Sequence, residues 1–265
     1  MSSGDTGRRG RILLGIDIGG TGIKGARVDT RRGEVVGELY RVLTPKLATP
    51  DAVVDRVARV VDHFRTKGPI GVTFPGIVRH GIVGSAAHVD ASWIGRNPAE
   101  LLERRLGRSV VVLNDADAAG MAEMTFDAGR GRPGVVVMVL FGTGIGSALF
   151  LDGRLVPNTE LGHIIVAGKD GERLAAASVK TRQRLTWKRW SKRVNAYLAR
   201  LESLVSPDSI VIGGGVSKDY EKFRARLRSS AEVVPAALLN EAGIVGAAVA
   251  ARFAIPRSSA RSRAP

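Results

Sequence analysis

Two short glycine-rich segments of this chain have the composition of phosphate-binding turns. Glycine lets the backbone turn sharply and approach a ligand closely, and successive N–H groups in such a turn form a concave site for anions. The residues placed to contact phosphate are Gly19, Gly20, Thr21, Gly22 and Lys24 in the first segment, and Gly142, Thr143 and Gly144 in the second. Asp17 ends the apolar run before the first turn, where a carboxylate could hold a metal-bound water beside the phosphates.

Each glycine segment taken alone also fits a tight hairpin without a ligand. The second copy favours a ligand, because it lies about half a chain downstream and, like the first, has apolar runs on both sides. Such a recurrence predicts a duplicated fold in which two phosphate-facing turns lie across a cleft.

A polar pair, Asn114 and Asp115, directly follows the apolar run 110–113 and opens a predicted helix. Such a pair can be plain helix capping. If Asn114 and Asp115 bind a ligand instead, Asp117 would be the capping residue or a spectator. The position favours a ligand, because ligands of α/β sheets bind at the carboxyl ends of strands. Gly76, in the turn after the predicted strand 70–73, is counted in the same site.

The elements that must position these residues follow from apolar periodicity and from turn residues. Strands are predicted at 12–17, 23–29, 34–42, 70–73, 110–113, 135–141, 145–151, 154–156 and 209–212. Helices are predicted at 51–67, 98–106, after 114, at 180–200 and at 240–253, the second of them capped by Asn97 and ended by Gly107. Three strands, a helix and a strand form the first half, and the three-strand pattern recurs in the second.

In combination, these segments resemble the ROK group of the actin-like sugar kinases. The resemblance rests on the motifs DIGGTGIK from Asp17, NDAD from Asn114, FGTGIG from Phe141, ELGHI from Glu160 and IGGGVSK from Ile212. They occur in the order typical of the family, and the resemblance covers residues 12–251. It implies a duplicated α/β fold of the actin-like ATPase and ribonuclease H-like kind, with two lobes around a central cleft. We expect lobes at 12–115 and 116–253, with disordered basic tails at 1–11 and 254–265.

The same resemblance implies the chemistry, which is phosphoryl transfer to the 6-hydroxyl of glucose. Asp115 is expected to bind the sugar and accept the hydroxyl proton, and Mg²⁺ is expected near Asp17. The other side chains expected to contact glucose are Asn114, Glu160, His163 and Glu172. The nucleotide-side glycine motif is Gly213, Gly214 and Gly215. His88, in the loop on the sugar side, is more simply interpreted as a structural residue than as a ligand contact.

The family resemblance also implies the phosphoryl donor. Most ROK proteins follow the histidine of ELGHI with a cysteine-rich zinc segment, but this chain has no cysteine, so no zinc is expected. It resembles the zinc-free members that use inorganic polyphosphate, and polyphosphate is therefore the expected donor. Use of ATP alone, or of both donors, stays open. A non-enzymatic DNA-binding regulator is a further alternative, although we expect no helix-turn-helix in the residues before the first strand.

The charge of the chain indicates a polyanionic partner. Basic residues outnumber acidic ones by 40 to 25, which gives a formal net charge of +15, and a basic protein of this kind usually meets a polyanion. The predicted helix 180–200 contains no acidic residue. We predict a polyphosphate-binding lane on this helix, formed by Lys188, Arg189, Lys192 and Arg193. A solvated basic face or a nonspecific nucleic-acid patch is the alternative.

Other partners and locations are limited by composition. No apolar run approaches the ~18 residues of a membrane span, so no membrane partner is expected, and nucleic acid is not expected as a functional partner. We expect a cytoplasmic protein, and the family resemblance implies a homodimer.

Overall fold

The first half of the chain forms a five-stranded sheet with two helices packed on it. The protein is described here from a computed structural model covering residues 12–86 and 88–253. The elements of this half are β1 (Ile12–Ile18), β2 (Gly22–Asp29), β3 (Glu34–Leu43), α1 (Pro50–Phe64), β4 (Ile70–Phe74), β5 (Val78–Arg79), β6 (Ile82–Val83), α2 (Pro98–Leu106) and β7 (Val110–Asn114). The strand order is β3-β2-β1-β4-β7. β1 is antiparallel to β2 and parallel to β4, which is parallel to β7.

The second half forms a second five-stranded sheet. Its elements are α3 (Asp115–Phe126), β8 (Val135–Phe141), β9 (Ile145–Leu151), β10 (Arg154–Val156), β11 (Ile165–Val166), β12 (Lys169–Asp170), α4 (Gly171–Ala175), α5 (Ala177–Arg182), α6 (Trp187–Val205), β13 (Ser209–Gly213), β14 (Glu232–Pro235) and α7 (Ala242–Phe253). The strand order is β10-β9-β8-β13-β14. Because β8 is antiparallel to β9 and parallel to β13, this sheet repeats the pairing of the first, and the predicted duplication is confirmed.

α7 joins the two halves through close backbone contacts. It packs on β1 and β4 of the first sheet and on α3, which in turn packs on β9 of the second sheet. A methyl group on Gly71 of β4 would lie 1.7 Å from the carbonyl oxygen of Ala247, so only glycine allows the helix to come this close. Buried residues of β1, β2, α3, β8, β9 and α7 then form one continuous apolar core. The interface between the halves therefore depends on small residues, as the Ala- and Gly-rich sequence of α7 predicts.

Helix ends follow the capping residues in the sequence. The side chain of Asn97 accepts a hydrogen bond from the N–H of Glu100, and Gly107 ends α2 in the left-handed conformation, with φ of 63°. Both of these predicted boundaries are confirmed. α1 ends at Phe64, earlier than predicted, because Arg65 adopts the left-handed conformation and caps it. α7 begins at Ala242, two residues later than predicted, after a short 3-10 turn at Leu239–Glu241.

The prediction of one basic helix over 180–200 is wrong, because the structure divides this stretch. α5 ends at Arg182 and α6 begins at Trp187. The hydroxyl of Thr186 accepts a hydrogen bond from the N–H of Arg189 and so caps a new helix. Arg184, in the connection, has the left-handed φ of 48°. The predicted tails at 1–11 and 254–265 lie outside the described residues. Among those residues, no helix combines the length and the apolar character needed to cross a bilayer.

Candidate active site

A cavity of about 450 Å³ lies between the two halves of the molecule. Its wall is formed by residues from several places: after β4, at the end of β7, in the turn between β8 and β9, before β11 and in α4. The predicted site residues that line it are Gly76, Asn114, Asp115, Gly142, Thr143, Gly144, Glu160, His163, Glu172 and Gly214. The structure therefore brings the residues predicted to bind glucose together with the second glycine turn.

Asn114, the last residue of β7, is the N-cap of α3. Its side-chain oxygen accepts hydrogen bonds from the N–H groups of Ala116 at 2.8 Å and Asp117 at 3.1 Å, and its amide donates to the carbonyl of Gly76 at 3.2 Å. The interpretation of Asp117 as the capping residue is wrong, because Asn114 caps the helix, whereas its interpretation as a spectator stays a prediction, since Asp117 does not line the cavity. Asp117 lies inside the first turn of the helix, where its buried carboxylate accepts the N–H of Asn158 at 2.8 Å.

Asp115, the first residue of α3, faces the cavity. Its side chain is accessible from the cavity, yet the walls of the cleft surround it. This burial, together with the negative charges of Asp17 and Glu160, raises the pKa of Asp115 to about 6. A carboxylate with such a pKa is ionised at neutral pH and is a stronger proton acceptor than an ordinary aspartate. These properties are compatible with the predicted role of Asp115 as a proton acceptor, which stays a prediction.

Glu160 and His163 lie on a short segment that is fixed against β9. The hydroxyl of Ser147 donates to the carbonyl of Thr159 at 2.6 Å and accepts the N–H of Leu161 at 2.9 Å. These two bonds hold the backbone on both sides of Glu160. Burial in the cleft raises the pKa of the Glu160 carboxylate, and an ionised carboxylate in such a cleft is a strong hydrogen-bond acceptor.

His163 forms a cluster with Asp170 and Glu172. Nδ1 of His163 lies 2.9 Å from Oδ2 of Asp170, whose Oδ1 accepts the N–H of Glu172 at 3.0 Å. Glu172 in turn accepts the N–H of Ile145, next to the second glycine turn, at 3.3 Å. The ligand atoms of the three side chains all lie within 4.8 Å of one another, so an imidazole and two carboxylates could bind a cation. The expected absence of zinc therefore stays a prediction.

The first glycine turn does not line this cavity. Its carbonyl groups are bound by neighbouring side chains, because Thr44 donates to Gly19 at 2.6 Å and Arg41 donates to Thr21 at 2.9 Å. Gly20 lines an adjacent open cavity of about 470 Å³, and His88 lines both cavities. The two glycine turns thus border neighbouring spaces that meet at His88.

Asp17 and Lys24 lie opposite each other in the register of β1 and β2. The hydroxyl of Thr73 donates to Oδ1 of Asp17 at 2.7 Å and accepts the N–H of Ile18 at 3.2 Å, which fixes the orientation of this carboxylate. Its charge contributes to the raised pKa of Asp115. Asp17 is therefore close enough to act electrostatically on the cavity, although it does not line it.

The remaining predicted residues lie on the second half. Gly213 ends β13, Gly214 lines the cavity with φ of 80°, and Gly215 begins the 3-10 segment Gly215–Lys222. The four residues of the predicted polyphosphate lane, Lys188, Arg189, Lys192 and Arg193, lie on α6. None of these four lines the candidate active-site cavity.

Two residues near the site were missed by sequence reasoning, Asp170 and Asn158. The side chain of Asn158 accepts the N–H of Val78 at 2.9 Å and donates to its carbonyl at 3.0 Å, while its own N–H binds Asp117. Asn158 therefore ties the β5–β6 hairpin of the first half to α3 of the second. An asparagine after a proline is a weak turn signal, and it could not have identified these partners.

Comparison with known proteins places this chain in a family. The ROK family matches residues 13–177, more than half of the chain. The chain belongs to the ROK family. A polyphosphate glucokinase of Mycobacterium tuberculosis (strain ATCC 25618 / H37Rv) is 50% identical over 238 residues, which cover 89% of this chain and 90% of that protein. A polyphosphate glucokinase of Mycobacterium leprae (strain TN) is 46% identical over the same share of this chain and 74% of its own length.

Solved structures of ROK proteins show the same architecture. The inorganic polyphosphate/ATP-glucomannokinase from Arthrobacter sp. strain KM superposes with a TM-score of 0.86 at 48% identity, covering 91% of this chain and 98% of that one. A ROK glucokinase from Streptomyces griseus, in complex with glucose and AMPPNP, gives a TM-score of 0.78 at 26% identity, with 91% and 99% coverage. The predicted actin-like α/β fold of this ROK protein is confirmed.

Proposed function

We propose that this ROK protein is a polyphosphate-dependent glucokinase, which transfers the terminal phosphoryl group of inorganic polyphosphate to the 6-hydroxyl of glucose. One observation supports this most strongly. A carboxylate whose pKa is raised to about 6, Asp115, lies in one cavity with Glu160, His163 and the second glycine turn. The chain that forms this cavity is 50% identical to proteins named polyphosphate glucokinase.

Glucose binds in the cavity between the halves. Glu160 and His163 supply an acceptor and an imidazole to its hydroxyl groups, and Glu172 and Asn114 complete the polar wall. Polar groups placed in this way reject sugars that lack the matching hydroxyls, because the protein groups would be left unpaired. Gly76 accepts a hydrogen bond from Asn114, and its lack of a side chain lets the wall of the cavity pack closely, since a methyl group there would lie 2.2 Å from the carbonyl oxygen of Ser85.

Asp115 accepts the proton of the attacking 6-hydroxyl. The phosphoryl group lies between the turns at Gly19–Gly22 and Gly142–Gly144. The N–H groups of Gly19 and Gly142 donate within these turns, so the remaining N–H groups stabilise the charge of the phosphoryl group. The rest of the reaction is positioning, since phosphoryl transfer needs little covalent help from the protein. Closure of the two halves around glucose excludes water, which would otherwise compete as acceptor.

Mg²⁺ fits the carboxylates on this side of the site. Asp17 is oriented by Thr73, and its charge acts on Asp115 strongly enough to raise the pKa of Asp115. A nearby cation stabilises the ionised forms of two carboxylates that repel each other, here those of Asp17 and Asp115. Asp17 would therefore hold the ion. Bound there, Mg²⁺ would neutralise charge on the phosphates.

ATP is the second candidate donor. Gly214 lines the cavity, so the Gly213–Gly215 motif is open to a nucleotide as well as to a chain of phosphates. The name of the Arthrobacter relative also includes both donors. We further propose that the protein is a cytoplasmic homodimer, and light scattering of the purified protein at several concentrations tests the dimer.

The direct test is formation of glucose 6-phosphate by purified protein with Mg²⁺ and either polyphosphate or ATP as sole donor. We expect product with polyphosphate, and a strong decrease in the matched Asp115→Asn variant. Product from ATP alone would replace polyphosphate by ATP as the donor. No product with either donor would overturn the kinase proposal and favour a regulator.

A further inference from the structure

A second cavity of about 450 Å³ lies on the second half, outside the candidate active site. One wall is α6, and the other is the segment 225–228, which begins within the short 3-10 turn Arg224–Arg226. Four exposed basic side chains line it: Lys188, Lys192, Arg226 and Arg228. No carboxylate occurs among its described lining residues. We refer to it below as the basic cavity.

The basic cavity is held in shape by Asn195. Its amide donates to the carbonyl of Arg226 at 2.8 Å, and its oxygen accepts the N–H of Arg228 at 3.0 Å. The two arginines are therefore fixed to α6 through their backbones, and their side chains stay available. Near the start of α6, the rings of Trp187 and Phe223 stack, with centroids 5.4 Å apart.

The charge of the basic cavity is not neutralised by its surroundings. Other basic residues nearby have acidic partners, since Lys222 pairs with Asp219 at 2.6 Å and Arg224 pairs with Glu221. The carboxylate of Glu202, further along α6, is bound by Ser229 and Ser230. By contrast, the four cations of the cavity form no ion pair with any residue that the structure describes.

Both walls of the basic cavity are continuous with the phosphate side of the candidate active site. Gly214 lines the active-site cavity, and from Gly214 the chain runs through Gly215–Lys222 to the segment 225–228, which contains Arg226 and Arg228. On the other side, Ser178 of α5 donates through its N–H to the carbonyl of Gly142 at 3.0 Å and through its hydroxyl to that of Thr143 at 2.6 Å.

Lys180 lies on the same short helix α5 and contacts the start of α6. Its ammonium lies over the ring of Trp187, 3.9 Å from the centroid. Trp187 directly precedes Lys188, and one helical turn, about 6 Å, separates Lys188 from Lys192. Lys180 thus lies between the second glycine turn, which its helix contacts through Ser178, and the start of α6, which carries Lys188 and Lys192.

We propose that the basic cavity binds the part of a polyphosphate chain that extends beyond the active site. This inference rests on the proposed function and adds a binding site to it. A flexible chain of phosphates whose end lies in the cleft needs cations along its remaining length, and it releases condensed counterions when it binds them. Arg226 and Arg228 can each form forked contacts to phosphate oxygens. A short donor does not need this site.

The residues assigned here differ from a lane confined to the basic helix. Arg193 turns away from the basic cavity, because its guanidinium donates to Gln183 at 2.8 Å and to the carbonyl of Leu174 at 3.4 Å. Arg189 does not line the basic cavity. The site therefore uses Lys188 and Lys192 of α6 and is completed by two arginines more than thirty residues later.

The test compares two fourfold variants of equal charge change. One replaces Lys188, Lys192, Arg226 and Arg228 by Gln, and the control replaces Arg59, Lys67, Arg104 and Arg154, which are exposed elsewhere. Binding of labelled long-chain polyphosphate is measured by fluorescence anisotropy without glucose, over a range of salt concentrations. We expect the first variant to raise Kd at least about tenfold. It should also reduce the salt slope by up to about 3, since each contact with a single-stranded polyanion contributes about 0.7.

A charge-neutral variant, Asn195→Ala, separates shape from charge. This variant keeps all four cations but removes the hydrogen bonds that hold the segment 225–228 to α6. Its Kd for long-chain polyphosphate should therefore lie between those of the wild type and the fourfold variant. In kinetics, the ratio of KM for long-chain polyphosphate to KM for tripolyphosphate should rise about tenfold in the fourfold variant. Circular dichroism checks the fold of every variant.

The outcomes are distinct. An unchanged Kd and salt slope in the fourfold variant, or an equal loss in the control variant, overturns the basic cavity as a polyphosphate site. Loss of binding to single-stranded RNA with polyphosphate binding retained would assign the basic cavity to nucleic acid instead. If the wild-type protein binds long-chain polyphosphate in the basic cavity but forms no glucose 6-phosphate from it, the proposed function is wrong and the binding site is retained.

Discussion

Asp170 links the imidazole of His163 to the helix that carries Glu172. One oxygen lies 2.9 Å from Nδ1 of His163, and the other accepts the N–H of Glu172 at the start of α4. Although partial burial opposes it, the bond to His163 lowers the pKa of Asp170, and the same bond raises the pKa of His163. A carboxylate on Nδ1 fixes the ring, so that Nε2 is left for the cavity that His163 lines.

The first prediction concerns Asp170→Asn. Loss of the carboxylate frees the imidazole, so KM for glucose should rise about tenfold, by analogy with the loss of the carboxylate partner of a metal-bound histidine. The pKa of His163 should fall, because its main stabilising partner is removed. The chain has four histidines, so an NMR titration can follow His163 directly. Asp62→Asn, on the exposed face of α1, is the control, and an unchanged titration of His163 would contradict the positioning role.

The second prediction is that Asp115 is the general base. Asp115→Asn keeps the size of the side chain but removes the proton acceptor, so turnover should fall about 10²–10⁴-fold. Glucose binding, measured by calorimetry, should be largely retained. A variant that keeps more than about a tenth of wild-type turnover would exclude this role.

The pH dependence follows from the raised pKa of Asp115. A base acts only when deprotonated, so kcat/KM should be constant above about pH 7 and fall as the pH decreases through about 6. An ordinary aspartate would keep activity to about pH 4. A profile of kcat/KM that stays flat down to pH values near 4 would therefore contradict this assignment.

The third prediction concerns Glu160→Gln. The amide is nearly the same size but donates where the carboxylate accepts, so KM for glucose should rise. Turnover should fall as well, because a misplaced hydroxyl misses the reactive geometry. Steady-state kinetics with polyphosphate in excess measures both constants. An unchanged KM for glucose would remove Glu160 from the sugar site.

Local patterns in the sequence predicted most of the fold. Apolar runs predicted the strands of both sheets except β14 (Glu232–Pro235), which was missed. Asn97 and Gly107 predicted the ends of α2, because these signals lie within a few residues of one another. The glycine repeat predicted the duplication before any contact was known. The split of the basic helix at Thr186 was missed, because a single capping threonine is weak against a long helical pattern.

Contacts between distant segments could not be predicted in the same way. The bond of Asp117 to Asn158 joins residues on different elements, and only the packing of α3 against the segment before Glu160 brings them together. Asp170 meets His163 because the hairpin β11–β12 reverses the chain between them. Residue type was enough to select His163 and Glu172 from the sequence. Their partner Asp170 could be found only from the tertiary structure.

The fourth prediction concerns stability and Asp117, which is 1% exposed. The pKa of Asp117 is raised to about 6, mainly by burial and to a smaller extent by the negative charges of Glu160 and Asp115. Since the folded state holds this proton more tightly than the unfolded chain, the stability present below about pH 4 is lost as the pH rises through about 6. The loss amounts to at most about 3 kcal/mol.

The variant Asp117→Asn does not titrate, and its amide oxygen can still accept the N–H of Asn158. Its free energy of unfolding relative to wild type should therefore increase between about pH 4 and about pH 7.5. Urea unfolding at both pH values measures this difference, with Asp62→Asn as control. If the difference in free energy of unfolding between this variant and the wild type does not change with pH, ionisation of the buried Asp117 carboxylate does not destabilise the protein.

The last prediction tests the close contact between α7 and α3. In an ordinary helix, Gly→Ala is stabilising by about 0.5–1 kcal/mol. At Gly246, however, the added methyl would lie 1.7 Å from the carbonyl oxygen of Ala118, an obstacle in the backbone that no side-chain rotation can relieve. Gly246→Ala should destabilise by at least about 3 kcal/mol, a decrease of about 10 °C in Tm. Gly215→Ala has no atom within 4 Å of its new methyl and serves as control. Equal Tm values for the two variants by calorimetry would show that the helices can move apart without cost.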